Sequence, residues 1–223
     1  MSHSNTSTST EWAEDIAGLA GDLSLFTLAL GSPLANDDQA IAGGFMRAHR
    51  VNSLPALRTF LDDYQQRILA PLEFPAIAEA SERARRGEVR ELIELDQRLA
   101  HEPLLKEFAV ASAALGRSHL RKLQPMRGNR FVRRYIDAVK SGEAHGWHQL
   151  VYGVILGVYS LPLRQGMIRY GCLTVEGLVR ATSATLKLSE AARNAVIEEF
   201  HSCQPVLVEA NLKASGHSQL QIL

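Results

Sequence analysis

The sequence predicts a single all-α domain of roughly ten helices. Apolar residues recur every three or four positions along most of the chain, which is the spacing of one helix face. Glycine and proline interrupt this pattern at intervals typical of helix lengths. No stretch alternates apolar and polar residues long enough to predict a half-buried strand. The chain is therefore expected to bury its apolar faces helix against helix.

The N-terminal region combines a polar tail with the first predicted helix. Residues 1–10 are rich in Ser and Thr, which predicts a disordered tail ahead of a helical domain spanning 11–223. Thr8 and Glu11 have capping-box spacing, so the first helix is predicted from about 11 to about 30. The secondary structure of residues 34–50 stays ambiguous, because a helix is possible but two adjacent glycines make it less favourable.

Local signals place the later helices. Ser53 is a good cap for a helix that holds Pro55 in its first turn, whereas Pro71 and Pro75 are expected to break the chain. The remaining predicted helices cover 75–86, 88–100, 103–124, 128–140, 147–159, 164–186, 189–203 and 205–214. The segment 147–159 is apolar nearly all round, which predicts a central, buried helix.

Composition narrows the class of protein. Hydrophobic residues make up 46% of the chain, enough for a sizeable core. Lys and Arg number 24, as do Asp and Glu, so the formal net charge is zero and nothing global favours nucleic acid or an anionic membrane as a partner. A near-neutral chain with much apolar surface tends to self-associate or to need a partner protein.

Cysteine usage and the termini favour a cytoplasmic protein. Cys172 and Cys203 have no paired spacing, which suits a reducing compartment. The N-terminus lacks the basic and apolar regions of a signal peptide. The longest apolar stretch, Leu150–Leu163, is too short for a membrane span.

One cluster suggests a metal site. Glu143, His145 and His148 stand close together, and a helix would place the two imidazoles on one face. They could hold a divalent ion, which would allow a metal- or cofactor-dependent helical enzyme. The favoured interpretation is an ordinary polar helix start, because no further strong ligand follows at metal-site spacing. His201 and Cys203 form a second, weaker pair that fits surface residues.

A basic run follows the small-residue helix near the middle of the chain. Its members are Arg117, Arg121, Lys122, Arg127, Arg130, Arg133 and Arg134. No acidic residue occurs from Phe108 to Ile136. A nucleic-acid-binding or regulatory helical module would need such a cluster on one face. A protein-docking or solvated surface is favoured, because the chain is neutral and carries no nucleic-acid-binding motif. The acid-rich segment 88–96 offers charges that would neutralise it across the fold.

Catalytic motifs are lacking. The sequence has no nucleophile elbow, phosphate loop or dinucleotide fingerprint. His201 and Cys203 are two residues apart, which does not place them on the same helix face. The sequence therefore favours a docking protein over an enzyme.

An ordered series of partial motifs resembles the urease accessory protein F family (UreF). The matching segments are Leu95-Asp96, Leu99, Glu107, Ala111-Ser112, Gly116-Arg117, Leu120 and Leu123, then Gly146–Gly153, Leu161-Pro162-Leu163, Thr185–Leu188, Pro205–Leu207 and His217. Gly146-Trp147-His148 resembles the start of that family's Gly-His-His-Pro-x-x-Phe-Gly element. The resemblance extends over roughly residues 20 to 217, and the order and spacing of the motifs carry it.

The chain departs from the family pattern at three places. The family's Leu-Pro-x-Gly-Gly-Phe loop can be aligned with Ser32-Pro33 or with Gly43-Gly44-Phe45, and neither register is intact. The family's Glu-x-Arg becomes Glu107-Phe108-Ala109, and its Arg-Leu-Phe-x-Ser ending is absent from residues 219–223.

The resemblance implies a dimeric, helical chaperone without a resident cofactor. Such a protein would bridge the urease accessory D/H protein and the UreG-type GTPase, and would help deliver nickel to the urease apoprotein. The implied partner surfaces are the 32–45 loop, the 117–134 face and the C-terminal segment from Pro205. Their candidate residues are Gly43, Gly44, Phe45, Arg117, Arg121, Arg127, Arg130, Arg133, Arg134 and His217.

Overall fold

Every regular element that the structure describes is a helix. The computed structural model describes residues 51–123 and 128–216, and neither range contains a strand. The α-helices are α1 (Leu54–Tyr64), α2 (Phe74–Arg86), α3 (Val89–Ala100), α4 (Ala109–Lys122), α5 (Arg130–Ser141), α6 (His148–Val158), α7 (Leu163–Leu186) and α8 (Glu190–Ala214). A π-helical segment, Gln65–Glu73, joins α1 to α2, and a 3₁₀ turn, Pro103–Phe108, leads into α4.

The all-α prediction is confirmed, but the count of roughly ten helices is not matched. Two of the predicted helix breaks are absent, so the described residues form seven continuous helices. The predictions for residues 1–10, the helix from 11 to 30 and the segment 34–50 lie outside the described residues.

The predicted break at Pro71 and Pro75 is wrong, because the helix widens instead of ending. Pro71 lies inside the π-helical segment and Pro75 in the first turn of α2. In a π-helix the Ala70 carbonyl would accept from residue 75, which as proline has no N–H. The Asn211 side chain from α8 donates to that carbonyl at 2.7 Å instead. A contact from a distant helix thus satisfies the group that the proline leaves open.

The two predicted C-terminal helices are one. Helix α8 runs through Pro205 without a break, although proline removes one backbone hydrogen bond there. The buried side chains on both sides of this position keep a spacing of four: Val196, Phe200, Gln204, Val208 and Leu212. Burial of a continuous stripe outweighs the local proline penalty, since tertiary packing supplies most helix stability in proteins.

The predicted buried helix is α6, which is almost fully enclosed. It packs on α2 through glycines that let the two backbones approach closely. A Cβ added at Gly153 would lie 2.5 Å from the Ile77 carbonyl oxygen, and one at Gly157 would lie 2.7 Å from the Ala84 Cβ. Glycine is therefore required at both positions to bring α6 against α2.

In residues 51–123 and 128–216, no helix combines the length and apolar character needed to cross a bilayer.

Candidate interaction surface

A buried carboxylate holds the loop that precedes α6. Asp96, on α3, is fully buried. Its carboxylate accepts hydrogen bonds from the backbone N–H groups of His145 at 2.6 Å and Gly146 at 2.9 Å. It also accepts from the Tyr135 hydroxyl of α5 at 2.8 Å. Burial, and next the Asp96 charge, raise the pKa of Tyr135 well above its ordinary value. We call this arrangement, which ties α3, α5 and the loop together, the Asp96 clamp.

Helix α4 closes the same loop from another side. A Cβ at Gly116 would overlap the Gly146 carbonyl oxygen and lie 3.2 Å from the His148 backbone nitrogen. One turn earlier, the Ser112 hydroxyl accepts from the His148 N–H at 2.9 Å and donates to Gln149 Oε1 at 3.0 Å. Because no side chain of the preceding loop caps α6, Ser112 acts as its N-cap from a different helix.

The two histidines predicted to share a helix face do not. Helix α6 begins at His148, so His145 lies on the preceding loop, with half of its side chain exposed and its Nδ1 atom 3.4 Å from Asp96 Oδ1. His148 points inward, with its ring centroid 5.0 Å from that of His119 and 5.3 Å from that of Tyr170. Burial, and to a lesser extent His119, lower the pKa of His148 well below 6.5. The spacing rule fails because it requires both residues to be helical.

The structure leaves the metal candidates apart. Glu143 is exposed, and its backbone carbonyl accepts from the Gln97 side chain at 3.0 Å. Within the described ranges, no group of three or more His, Cys, Asp or Glu side chains is arranged to hold a metal ion. His201 contacts the Cys172 carbonyl oxygen at 3.1 Å and lies 3.6 Å from the Glu176 carboxylate.

The basic run is exposed on two helices. Its described arginines lie on α4 and α5, and all are exposed: Arg117, Arg121, Arg130, Arg133 and Arg134. None of them has a carboxylate partner among the described residues, whereas many arginines elsewhere are paired. The paired ones are Arg58, Arg83, Arg86, Arg98, Arg164, Arg180 and Arg193. Neutralisation by the acidic residues of 88–96 is not seen, because Glu88 pairs with Arg83 at 2.7 Å and Asp96 forms the clamp.

The other predicted partner residues cannot be placed on this surface. Gly43, Gly44, Phe45, Arg127 and His217 lie outside the described residues. They stay predictions.

Sequence reasoning missed a second buried carboxylate. Glu73 ends the π-helical segment and accepts from the Tyr64 hydroxyl at 2.8 Å. Burial raises the pKa of Glu73 to about 7, although hydrogen bonds from Tyr64 and Tyr170 act in the opposite direction. The available signal was that Glu73 is the single charged residue in the otherwise apolar stretch 68–78.

Comparisons with known proteins agree on one family. The family model described as UreF matches residues 51–201, which contain the clamp, α4, α5 and α6. The urease accessory protein UreF of Sporosarcina pasteurii is 23% identical over 153 residues, covering 69% of this chain and 74% of that protein.

Proposed function

The chain belongs to the UreF family, and we propose that it acts in the cytoplasm as a urease accessory protein that assists nickel insertion into urease. In this role it bridges the accessory D/H protein and the UreG-type GTPase, forms a homodimer and performs no catalysis of its own. The observation that carries the proposal is the family match over residues 51–201. The described surface supports it, because exposed arginines on α4 and α5 that have no carboxylate partner among the described residues offer charge to a protein partner.

The proposed mechanism works through binding surfaces. A protein that binds one nucleotide state of a GTPase more tightly than the other shifts the GTPase toward that state. The bridge would hold the GTPase and the D/H protein close together while nickel, the cargo, passes toward the urease apoprotein. The Asp96 clamp and the Ser112 cap would contribute rigidity, since a preformed surface loses less conformational entropy on binding.

Reconstitution with purified partners tests this proposal. The full chain is mixed with the cognate D/H protein, with the GTPase, and with both, and each mixture is measured by size-exclusion chromatography with light scattering. We expect a complex with the D/H protein, and a ternary complex once the GTPase is added. The mass of the chain alone tests the proposed homodimer. The absence of any complex at micromolar concentrations would contradict the proposal.

The exposed arginines keep one other function open, that of a helical regulatory or nucleic-acid-binding module. Nucleic-acid binding would weaken steeply with salt, because arginines that neutralise phosphates release counterions. A gel-shift titration with duplex and single-stranded nucleic acid, repeated with the Arg130→Ala, Arg133→Ala double variant, decides this. A salt-dependent shift that the double variant loses would favour it, and flat binding curves would remove it.

A further inference from the structure

Helix α4 presents an exposed stripe on the side opposite its buried face. Val110, Ala114, Arg117 and Arg121 are spaced by four, three and four residues, so they align along one side of the helix. All four are exposed, and Val110, at 84%, is the most exposed large apolar side chain among the described residues. We call these four residues the α4 stripe. It is apolar toward the start of the helix and cationic toward its end.

We propose that the α4 stripe docks an acidic segment of a partner protein, with an apolar side chain against Val110 and Ala114 and carboxylates paired with Arg117 and Arg121. This inference rests on the proposed function and adds the chemistry of the partner that one surface recognises. An Arg guanidinium can donate two parallel hydrogen bonds to one carboxylate. Such a contact has a defined geometry in addition to charge complementarity.

The charge distribution argues for an acidic partner over a second copy of this chain at this surface. In a two-fold dimer built on α4, the stripe would meet itself. Since the sequence has no acidic residue from Phe108 to Ile136, neither copy of α4 would offer a carboxylate to the arginines of the other. Arginines enclosed in an interface without a carboxylate partner destabilise it. The stripe therefore fits a complementary, negatively charged surface.

The apolar half of the stripe separates this proposal from nucleic-acid binding. Phosphate recognition uses charged and polar groups, and neither Val110 nor Ala114 supplies any. An exposed valine beside alanine is instead a small apolar contact for a side chain of a partner, with the arginines as the charged neighbours.

The inner face of α4 makes the stripe a rigid platform. Gly116 lies against the Gly146 carbonyl, and Ser112 bonds the first turn of α6. These contacts set the position of the helix before a partner arrives, so less conformational entropy is lost on binding.

Calorimetric titration of the full chain tests the inference against purified D/H protein and, separately, purified GTPase. The test variant is Arg117→Glu with Arg121→Glu. Its matched control is Arg90→Glu on α3, since Arg90 is also exposed and has no carboxylate partner among the described residues. Circular dichroism melting shows that all variants are folded, and a gel shift with duplex DNA runs in parallel.

The expected result is that one partner binds the double variant roughly tenfold or more weakly, while the Arg90→Glu control changes less than about twofold. Wild-type binding should also weaken as the salt concentration rises from about 0.05 to about 0.5 M. The Val110→Ser variant should bind the same partner more weakly than the wild type does. Unchanged binding of the double variant to both partners would overturn the inference and leave the proposed function intact. No wild-type complex with either partner would overturn both, and loss of DNA binding without loss of protein binding would assign the stripe to nucleic acid instead.

Discussion

The two faces of helix α4 differ in what they tolerate. The inner face, with Ser112 and Gly116, leaves no room for added atoms and bonds directly to the backbone that begins α6. The outer face, the α4 stripe, is open to solvent and forms no described ion pair. Residues one or two positions apart in sequence therefore have different roles, one in packing and one at the surface. Ser112 and Gly116 on the inner face therefore build the scaffold, whereas the outer face is available for binding.

The largest expected effect is at Gly116. In Gly116→Val the new side chain overlaps the Gly146 carbonyl, and neither backbone can shift without disturbing the Asp96 clamp. We expect a loss of more than about 3 kcal/mol in the free energy of unfolding, measured by urea denaturation. Gly177→Ala on α7 is the matched control, because a Cβ there meets nothing within 4 Å. It should leave stability unchanged or raise it by up to about 1 kcal/mol. Equal stability of the two variants would show that α4 is not held as closely as described.

The next largest effect is expected at the clamp. Asp96→Asn removes the charge that accepts two backbone N–H groups and turns an NH₂ group toward one of them. The free energy of unfolding should fall by about 2 kcal/mol, because buried donors lose a charged acceptor. Tyr135→Phe removes only one hydrogen bond of the clamp and should cost about 1 kcal/mol. Thermal denaturation monitored by circular dichroism checks both values, and an unaffected Asp96→Asn variant would contradict the clamp.

Acidification affects the inner side of α4, because His119 on that side contacts the inward-facing ring of His148. The pKa of His148 is lowered, so its contribution is fully present above pH 6.5, the unfolded value, and is lost as the pH falls below it. The contribution of Glu73 to stability has the opposite pH dependence. Its pKa is raised from 4.5 to about 7, so its protonated form stabilises the fold at low pH and this stability is lost as the pH rises across that window. Each group alone changes stability by about 1.4 kcal/mol per pH unit at most.

Two variants separate these opposing slopes. Just below pH 6.5, the contributions of Glu73 and His148 to stability change with pH in opposite directions in the wild type. Glu73→Gln should therefore reveal a loss of stability on acidification, and His148→Phe should reveal a loss on raising the pH. Urea denaturation at several pH values measures both. Parallel pH profiles for wild type and Glu73→Gln would show that Glu73 does not titrate in this range.

The smallest effect on stability is expected on the outer face. Arg117→Glu should change the free energy of unfolding by no more than about 0.5 kcal/mol, because the side chain is exposed and makes no described ion pair. Differential scanning calorimetry of this variant beside Gly116→Val compares adjacent residues directly. A large destabilisation by Arg117→Glu would mean that the outer face of α4 also contributes to the stability of the fold.

Much of the fold could be predicted from local signals. Ser53 caps α1 through its hydroxyl, which accepts from the Ala56 N–H at 3.3 Å, and Ser189 caps α8 in the same way at 3.2 Å. Gly87 and Gly142 adopt the left-handed conformation that ends a helix. The exposed arginines were also found from sequence, since a charged run without nearby acids favours a solvent-facing surface. The inward orientation of His148 was not predicted, because its ring neighbours come from three helices.

Local sequence signals are sufficient to predict the helical class and most helix ends, because caps, glycines and apolar spacing act within one or two turns. The order of the partial motifs along the chain indicates the family. Tertiary contacts are needed to explain why the helices continue through Pro71, Pro75 and Pro205, and why Asp96 is a buried clamp. The physical reason is distance along the chain. The Ala70 carbonyl finds its donor 141 residues away in Asn211, and Asp96 binds the backbone of a loop about 50 residues later. A pattern read over a few turns contains neither partner.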